Sequence, residues 1–195
     1  MDIDGLLRDP LSRRRLFGMV GASAAGTMAV SLAGCGDDTK NPNVRTAPDE
    51  SDSADIELLN SVLDLEFMTI AAYKAVAGQL RASALQTAKG FLEQEQEHAD
   101  TLSQAIADLK GVPNTAQTSY DFPVLRSQRD ALRFAVRLEN NAIAAYIDVL
   151  PKLSQGPLRS TASAILTCEA EHVSVLSGHL GERQAPSAYV VGQPA

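Results

Sequence analysis

From Ala54 onward, apolar residues recur every three or four positions, the period of an α-helix that buries one face. Four such blocks follow one another. The first puts Leu59, Val62, Leu63, Glu66, Ile70, Tyr73 and Leu80 on one stripe. The second does so with Leu85, Ala88, Phe91, Leu92, Glu95, His98, Leu102 and Ile106. The third has Leu132, Val136, Glu139, Ile143, Tyr146 and Leu150. The fourth has Leu158, Ala162, Ile165, Leu166, Glu169, His172, Leu176 and His179. Ser83 with Gln86 and Ser127 with Asp130 have capping-box spacing, and Pro157 after Gly156 suits a first helical turn. Lys110-Gly111 and Leu180-Gly181 suit helix ends, and Pro151 ends or kinks the third helix. The pattern predicts an all-α, four-helix bundle.

The first and third joins are short, so each links antiparallel neighbours into a hairpin. The middle join, Gly111 to Leu125, carries no helical pattern. A helix of ~26 residues is ~39 Å long, and ~15 extended residues reach ~50 Å. This segment can therefore cross the whole bundle, with Tyr120, Phe122 and Val124 expected to pin it to the surface.

The two hairpins repeat one another. Leu65-Glu66-x-x-x-Ile70-Ala71-Ala72-Tyr73 returns in the third block as Leu138-Glu139-x-x-x-Ile143-Ala144-Ala145-Tyr146. Glu95-x-Glu97-His98 returns in the fourth as Glu169-x-Glu171-His172. Polar and aromatic positions repeat together, which implies a pseudo-two-fold axis. The copies are not identical: Asp64, Phe67 and Met68 match Arg137, Asn140 and Asn141, so two ions in the core would have unequal surroundings.

Composition adds little to this picture and excludes one function. The 195 residues are 45% apolar and 21% charged, enough for one core, and the net charge is −7. No basic cluster lies beyond Arg15, so nothing in the helical part supplies the phosphate neutralisation that a nucleic acid requires.

The N-terminal stretch reads as an address. Ser12-Arg13-Arg14-Arg15-Leu16-Phe17 precedes a weakly apolar, Gly-rich run from Gly18 to Ala33, too short for the ~20 residues of a membrane span. It resembles a twin-arginine export signal, and Leu32-Ala33-Gly34-Cys35 resembles a bacterial lipobox. The resemblance implies export of a folded chain, lipidation of Cys35 and attachment to the outer face of the cytoplasmic membrane or the cell envelope. Cys168 then remains as a single thiol with no disulfide partner, expected to be a small buried residue. The expected organisation is a signal with lipobox over 1–35, a polar linker over 36–53, the bundle over 54–181 and a loose tail over 182–195.

Each helix carries one Glu in the middle of its apolar stripe, and two of these have a His three positions on, sharing a helix face. In antiparallel hairpins these mid-helix positions meet at one height. Four ionised carboxylates in an apolar core cost several kcal/mol each, and no Lys or Arg lies on the stripes. Two divalent cations would neutralise them. Oxygen ligands with one imidazole per metal suit two iron ions, with manganese as the alternative and zinc as an intruder. The metal set is thus Glu66, Glu95, His98, Glu139, Glu169 and His172. Glu97, Glu171 and Glu93 lie ~200° around their helices and face away. Tyr73 and Tyr146, two turns beyond Glu66 and Glu139, are placed to hydrogen-bond to ligands or to fill the core. His179 reads as a helix-end histidine or a further ligand.

The order Glu, Glu-x-x-His, Glu, Glu-x-x-His resembles the ferritin-like di-iron carboxylate superfamily, nearest to rubrerythrin-type bundles, over residues 54–181. The resemblance implies a ferritin-like bundle of two antiparallel hairpins joined by a crossover. It also implies that Glu95 and Glu169 bridge or chelate, Glu66 and Glu139 are terminal, and His98 and His172 bind one metal each; spacing alone does not choose the bridging glutamate. The activity it suggests is redox chemistry with oxygen or peroxide, as Fe(II) oxidation (ferroxidase) or peroxide removal, with a di-manganese catalase-like site as a variant. The chain departs from ferritin cages in showing no fifth helix, and from a complete rubrerythrin in lacking a Cys-x-x-Cys rubredoxin segment, so electrons need an external donor. A non-catalytic envelope bundle that binds metal or a partner is the alternative, and a homodimer is left open.

Overall fold

The computed structural model describes residues 49–192, so the export signal, the lipobox with Cys35 and linker residues 36–48 lie outside the described residues. Among the described residues there are four α-helices, α1 (Glu50–Val76), α2 (Ala82–Asp108), α3 (Gln128–Val149) and α4 (Gly156–Leu180), and no strand. No helix among them is long and apolar enough to cross a membrane. The helices pack as two antiparallel hairpins, α1 with α2 and α3 with α4, joined face to face mainly through α1 and α3.

Helix α1 starts ahead of the hydrophobic period, because Asp49 caps it: its carboxylate accepts the Asp52 N–H at 2.8 Å. The Ser127 cap forms as expected, accepting from Asp130 N at 3.1 Å, and Pro157 occupies the first turn of α4. The Ser83 cap does not form. Helix α2 begins at Ala82, after Arg81 in an extended conformation, so Ser83 is already inside the helix. Leu80 likewise lies beyond α1, which tightens into a 3₁₀ turn at Ala77–Gln79, yet its side chain is buried between the helices. At the end of α2 the left-handed residue is Lys110 (φ 64) rather than Gly111.

A polar layer divides the core. One apolar cluster, including Leu59, Leu63, Leu102, Ile106, Val149 and Ile165, fills one end of the bundle. A second, including Val76, Leu80, Leu132, Phe134, Leu138 and Leu176, fills the other. The glutamates lie between them.

The internal repeat extends to the way the hairpins are tied together. Asp55 of α1, fully buried, accepts the backbone N–H and the hydroxyl of Ser154 at 2.8 and 2.7 Å, holding the α3–α4 connection. Gln128 of α3, its counterpart in the repeat, accepts the N–H of Arg81 in the α1–α2 connection at 2.9 Å. The crossover lies along α1: Asn60 bonds to Val112 O and Asn114 N, and Asn114 reaches Asp64 at 2.9 Å. Phe122 packs edge-on against Phe134, with Tyr120 stacked beside it. Val124, expected to help pin this segment, is 83% exposed; Leu125 turns inward in its place.

The C-terminal segment is not loose over residues 182–192. It folds back across α3 and α4, where Gln184, Pro186 and Tyr189 line a groove with Ile143 and Val173. Gly192 (φ 67) is buried against the backbone of Ala144, which leaves no room for a Cβ.

Candidate metal centre

The stripe glutamates Glu66, Glu95, Glu139 and Glu169 project from the middle of α1, α2, α3 and α4 in turn, and each is no more than 1% exposed. His98 and His172, one turn beyond Glu95 and Glu169, face the same layer. Both imidazoles turn Nδ1 inward. His98 Nδ1 lies 3.0 Å from Glu169, 3.5 Å from Glu95 and 3.8 Å from Glu66. His172 Nδ1 lies 3.0 Å from Glu95, 3.2 Å from Glu169 and 3.4 Å from Glu139.

These approaches do not satisfy the atoms. Eight buried side-chain atoms among the described residues have no hydrogen-bond partner: both oxygens of Glu95 and of Glu169, Oε2 of Glu66 and of Glu139, and Nδ1 of both histidines. All eight belong to this layer. Buried polar atoms are normally paired, so eight convergent orphans mark a place shaped for something that accepts lone pairs. Their positions fall into two sets whose ligand atoms lie within 4.8 Å of one another: Glu66, Glu95, His98 and Glu169, and Glu95, Glu139, Glu169 and His172. Glu95 and Glu169 are common to both.

The remaining oxygens are held from outside. Tyr73 on α1 donates to Glu139 Oε1 on α3, and Tyr146 on α3 donates to Glu66 Oε1 on α1. Each tyrosine thus serves the glutamate of the opposite hairpin. Nε2 of His172 bonds to Gln94 Oε1 at 2.8 Å, and Phe91 stacks on its ring with centroids 3.9 Å apart. Gln94 and Cys168 are site residues that the stripe pattern does not single out, and Phe91, which is on the α2 stripe, packs on an imidazole rather than only filling the core. The signal that finds them is the spacing from the histidines: each lies one or two helical turns before His98 or His172, on the same helix face.

Electrostatics shows the strain of this arrangement. Burial pushes Glu66 and Glu139 well above the carboxylate range. Burial opposes ionisation of Glu95 and Glu169 too, but the imidazoles beside them outweigh it, holding Glu95 down at about 2 and Glu169 below its usual value. Burial pulls the two histidines down, and Cys168 and the carboxylates outweigh it and carry both far above the usual imidazole value. Both tyrosines are raised by burial and by repulsion from the carboxylate each one serves.

Glu93, Glu97 and Glu171 are exposed and take no part. His179 belongs to neither set; its Nε2 lies 2.9 Å from Thr87 Oγ1, where it joins the end of α4 to α2.

A family model described as a ferritin-like domain matches residues 54–182, well over half of the chain. The chain belongs to the ferritin-like domain family. Among solved structures, a conserved hypothetical protein from Mycobacterium tuberculosis is similar to this ferritin-like chain at 26% identity and a TM-score of 0.62. That alignment covers 65% of this chain and 97% of the other. A protein of Bacillus anthracis described as a ferritin-like, diiron-carboxylate protein aligns at 23% identity and a TM-score of 0.58, covering 67% and 98%. No curated protein matches the sequence. The donor set of this ferritin-like domain fits a dinuclear metal centre: carboxylate oxygens and imidazole Nδ1 atoms, buried, convergent and otherwise unpartnered.

Proposed function

We propose that this ferritin-like domain holds two metal ions, iron in preference to manganese, and carries out oxygen- or peroxide-linked redox chemistry such as Fe(II) oxidation. The observation that carries the proposal is the set of eight buried, unpartnered donor atoms in one layer of the core. On this reading Glu66 and His98 would hold one ion and Glu139 and His172 the other, with Glu95 and Glu169, common to both donor sets, shared between them. Four carboxylates and two neutral imidazoles around two divalent ions make an uncharged unit, which removes the cost of burying the carboxylates. The diiron-carboxylate description of the Bacillus anthracis structure supports iron.

Held by these six residues, a pair of iron ions would supply one-electron redox chemistry. The chain's own residues do the rest. Gln94 keeps the proton of His172 on Nε2, leaving Nδ1 as the donor atom. Tyr73 and Tyr146 fix the outer oxygens of Glu139 and Glu66, so their free oxygens face the centre. The two apolar clusters close the layer from both ends of the bundle and exclude bulk water. On the sequence reading, Cys35 carries lipid and holds the bundle at the outer face of the membrane, with electrons delivered by an external donor.

The test is a metal count on the purified chain after anaerobic Fe(II) loading, followed by oxygen and peroxide consumption. About two iron ions per chain, lost in an E95A/E169A double variant, with oxygen or peroxide consumed, supports the proposal. Metal bound without turnover leaves the non-catalytic metal- or partner-binding bundle as the function. A chain that binds no metal overturns the metal centre and leaves the partner-binding bundle as the function.

A further inference from the structure

The segment that returns from α4 is tied down at both ends and spans a groove between them. At one end the Glu182 N–H bonds to Ser177 O at 2.9 Å, its carboxylate lies 3.7 Å from both Arg129 and Arg133, and Gln184 rests against Gly178. At the other end Gly192 is seated on the backbone of Ala144. Between these ties Tyr189, Val190 and Val191 are 79%, 53% and 57% exposed. Ordering a chain costs conformational entropy, and a segment laid on a bundle normally offsets that cost by burying its apolar side chains. This one instead leaves a cavity of about 530 Å³ between itself and the helices, walled by Ile143, Ala170, Val173, Tyr189 and Val190.

A second cavity, of about 670 Å³, continues the first, because Asn140, Val173 and Pro186 line both. Each has the size of a small-molecule site, ~300–1,000 Å³. The second is apolar at Val136 and Leu180, yet it also carries Arg133, Arg137 and Arg183 against a single carboxylate, Glu182. Arg133 pairs with that carboxylate, and Arg137 stands over the Phe134 ring. Neither Arg137 nor Arg183 has a carboxylate partner among the described residues. In a chain of net charge −7, this mouth is locally positive.

Arginine receives carboxylate or phosphate oxygens in paired hydrogen bonds, and apolar walls receive a hydrocarbon chain. We propose that the groove binds an amphiphile with one aliphatic chain and an oxyanion head, the chemistry of a long-chain fatty acid. The head sits on Arg137 and Arg183, and the chain runs past Val173 and Ile143 towards Tyr189 and Val190. Such a tail covers apolar side chains that the fold leaves in water. A polar ligand would leave them bare, and the apolar face of a second copy would leave the two arginines unmatched. None of the six residues of the metal layer takes part, so the inference stands apart from the metal centre.

The experiment titrates the purified chain with oleate below its micelle concentration, followed by calorimetry. The chain carries Cys35→Ser, so that no lipid attached there competes. Saturation is expected at about one oleate per chain. Arg137→Gln and Arg183→Gln should each weaken binding about tenfold. Oleyl alcohol, with a neutral head, should bind more weakly than oleate and be indifferent to both arginine changes. Ser174→Trp, which fills the groove, should abolish binding. Tyr189→Ser with Val190→Ser, at exposed positions that the fold does not depend on, should weaken it with the melting temperature unchanged. No binding of monomeric oleate overturns the proposal, as does binding that survives both the arginine changes and the Tyr189→Ser, Val190→Ser pair. A chain that takes up oleate only in phospholipid vesicles overturns it in favour of a membrane-facing surface. A dimer that dissociates in the Tyr189→Ser, Val190→Ser variant and ignores oleate overturns it in favour of a second copy.

Discussion

The hydroxyl of Tyr73 on α1 donates to a carboxylate oxygen of Glu139 on α3, and Tyr146 on α3 returns the same bond to Glu66 on α1. The two bonds cross the interface between the hairpins, related by the internal two-fold. Each holds one oxygen of a buried glutamate and leaves the other, Oε2, without a partner and turned to the centre of the layer. Tyr73→Phe strips one bond from a buried carboxyl group, so chemical denaturation should show about 1–3 kcal/mol lost. The same change should weaken metal binding about 10–100-fold through the freed Glu139. Tyr146→Phe should act alike through Glu66. Chelator competition checks this, and unchanged affinity in both variants would show that the tyrosines serve packing alone.

Sharing of Glu95 and Glu169 between the two donor sets makes the glutamates unequal. Glu66→Ala should remove one ion and leave the Glu139/His172 position loaded. Glu95→Ala or Glu169→Ala should reduce both positions together. Metal counting on the three variants distinguishes shared from terminal roles. A Glu95→Ala chain that keeps one ion at full affinity is the outcome that refutes the sharing.

Metal loading should also raise the melting temperature. A ligand at a hundredfold excess over its Kd adds about 2.7 kcal/mol to the folded state. Chelation should remove this increment in the wild type, and the E95A/E169A chain should show none to remove.

Without metal, burial keeps the proton on Glu66 and Glu139, and the surrounding groups keep both imidazoles charged. Glu95 and Glu169 are already ionised at neutral pH. Binding two cations should then release protons from these raised groups, Glu66, Glu139, His98 and His172. Because the metal-free state binds more protons, affinity must rise with pH. The stability that the raised histidines lend the metal-free fold has the opposite sense: it is fully present below their unfolded value and is lost as pH climbs through the folded one. Calorimetry in buffers of different ionisation enthalpy counts the protons, and a count near zero would contradict this charge arrangement.

Asp55 offers a control remote from the chemistry. Its carboxylate holds Ser154 at one end of the bundle. Asp55→Ala leaves a backbone N–H unpaired and should cost about 1–3 kcal/mol in urea unfolding, with metal affinity unchanged.

Much of this was legible in the residues themselves. The helical period, the Ser127 cap, Pro157 and Gly181 are local signals, because a cap or a turn is decided by neighbours within four positions. The four stripe glutamates and their histidines were legible for the same reason: i,i+3 spacing puts two side chains on one face whatever surrounds the helix. Where a local signal met a tertiary one, the tertiary one prevailed. Ser83 does not cap α2, since Leu80 is drawn into the core and the chain turns into the helix at Ala82. Val124 yields its place to Leu125, and residues 182–192 lie down along α3 and α4.

What only the packed bundle decided is which atom faces which. The sequence determined that four carboxylates and two imidazoles share one height. It did not determine that Nδ1 is the inward nitrogen, that Glu95 and Glu169 lie common to both donor sets, or that each tyrosine serves the opposite hairpin. Nor did it place Gln94 and Cys168 against Nε2 of His172. These depend on the rotation of each helix about its axis and on the distance between helices. Side-chain packing across the whole core settles both, and no interval along the chain encodes either one.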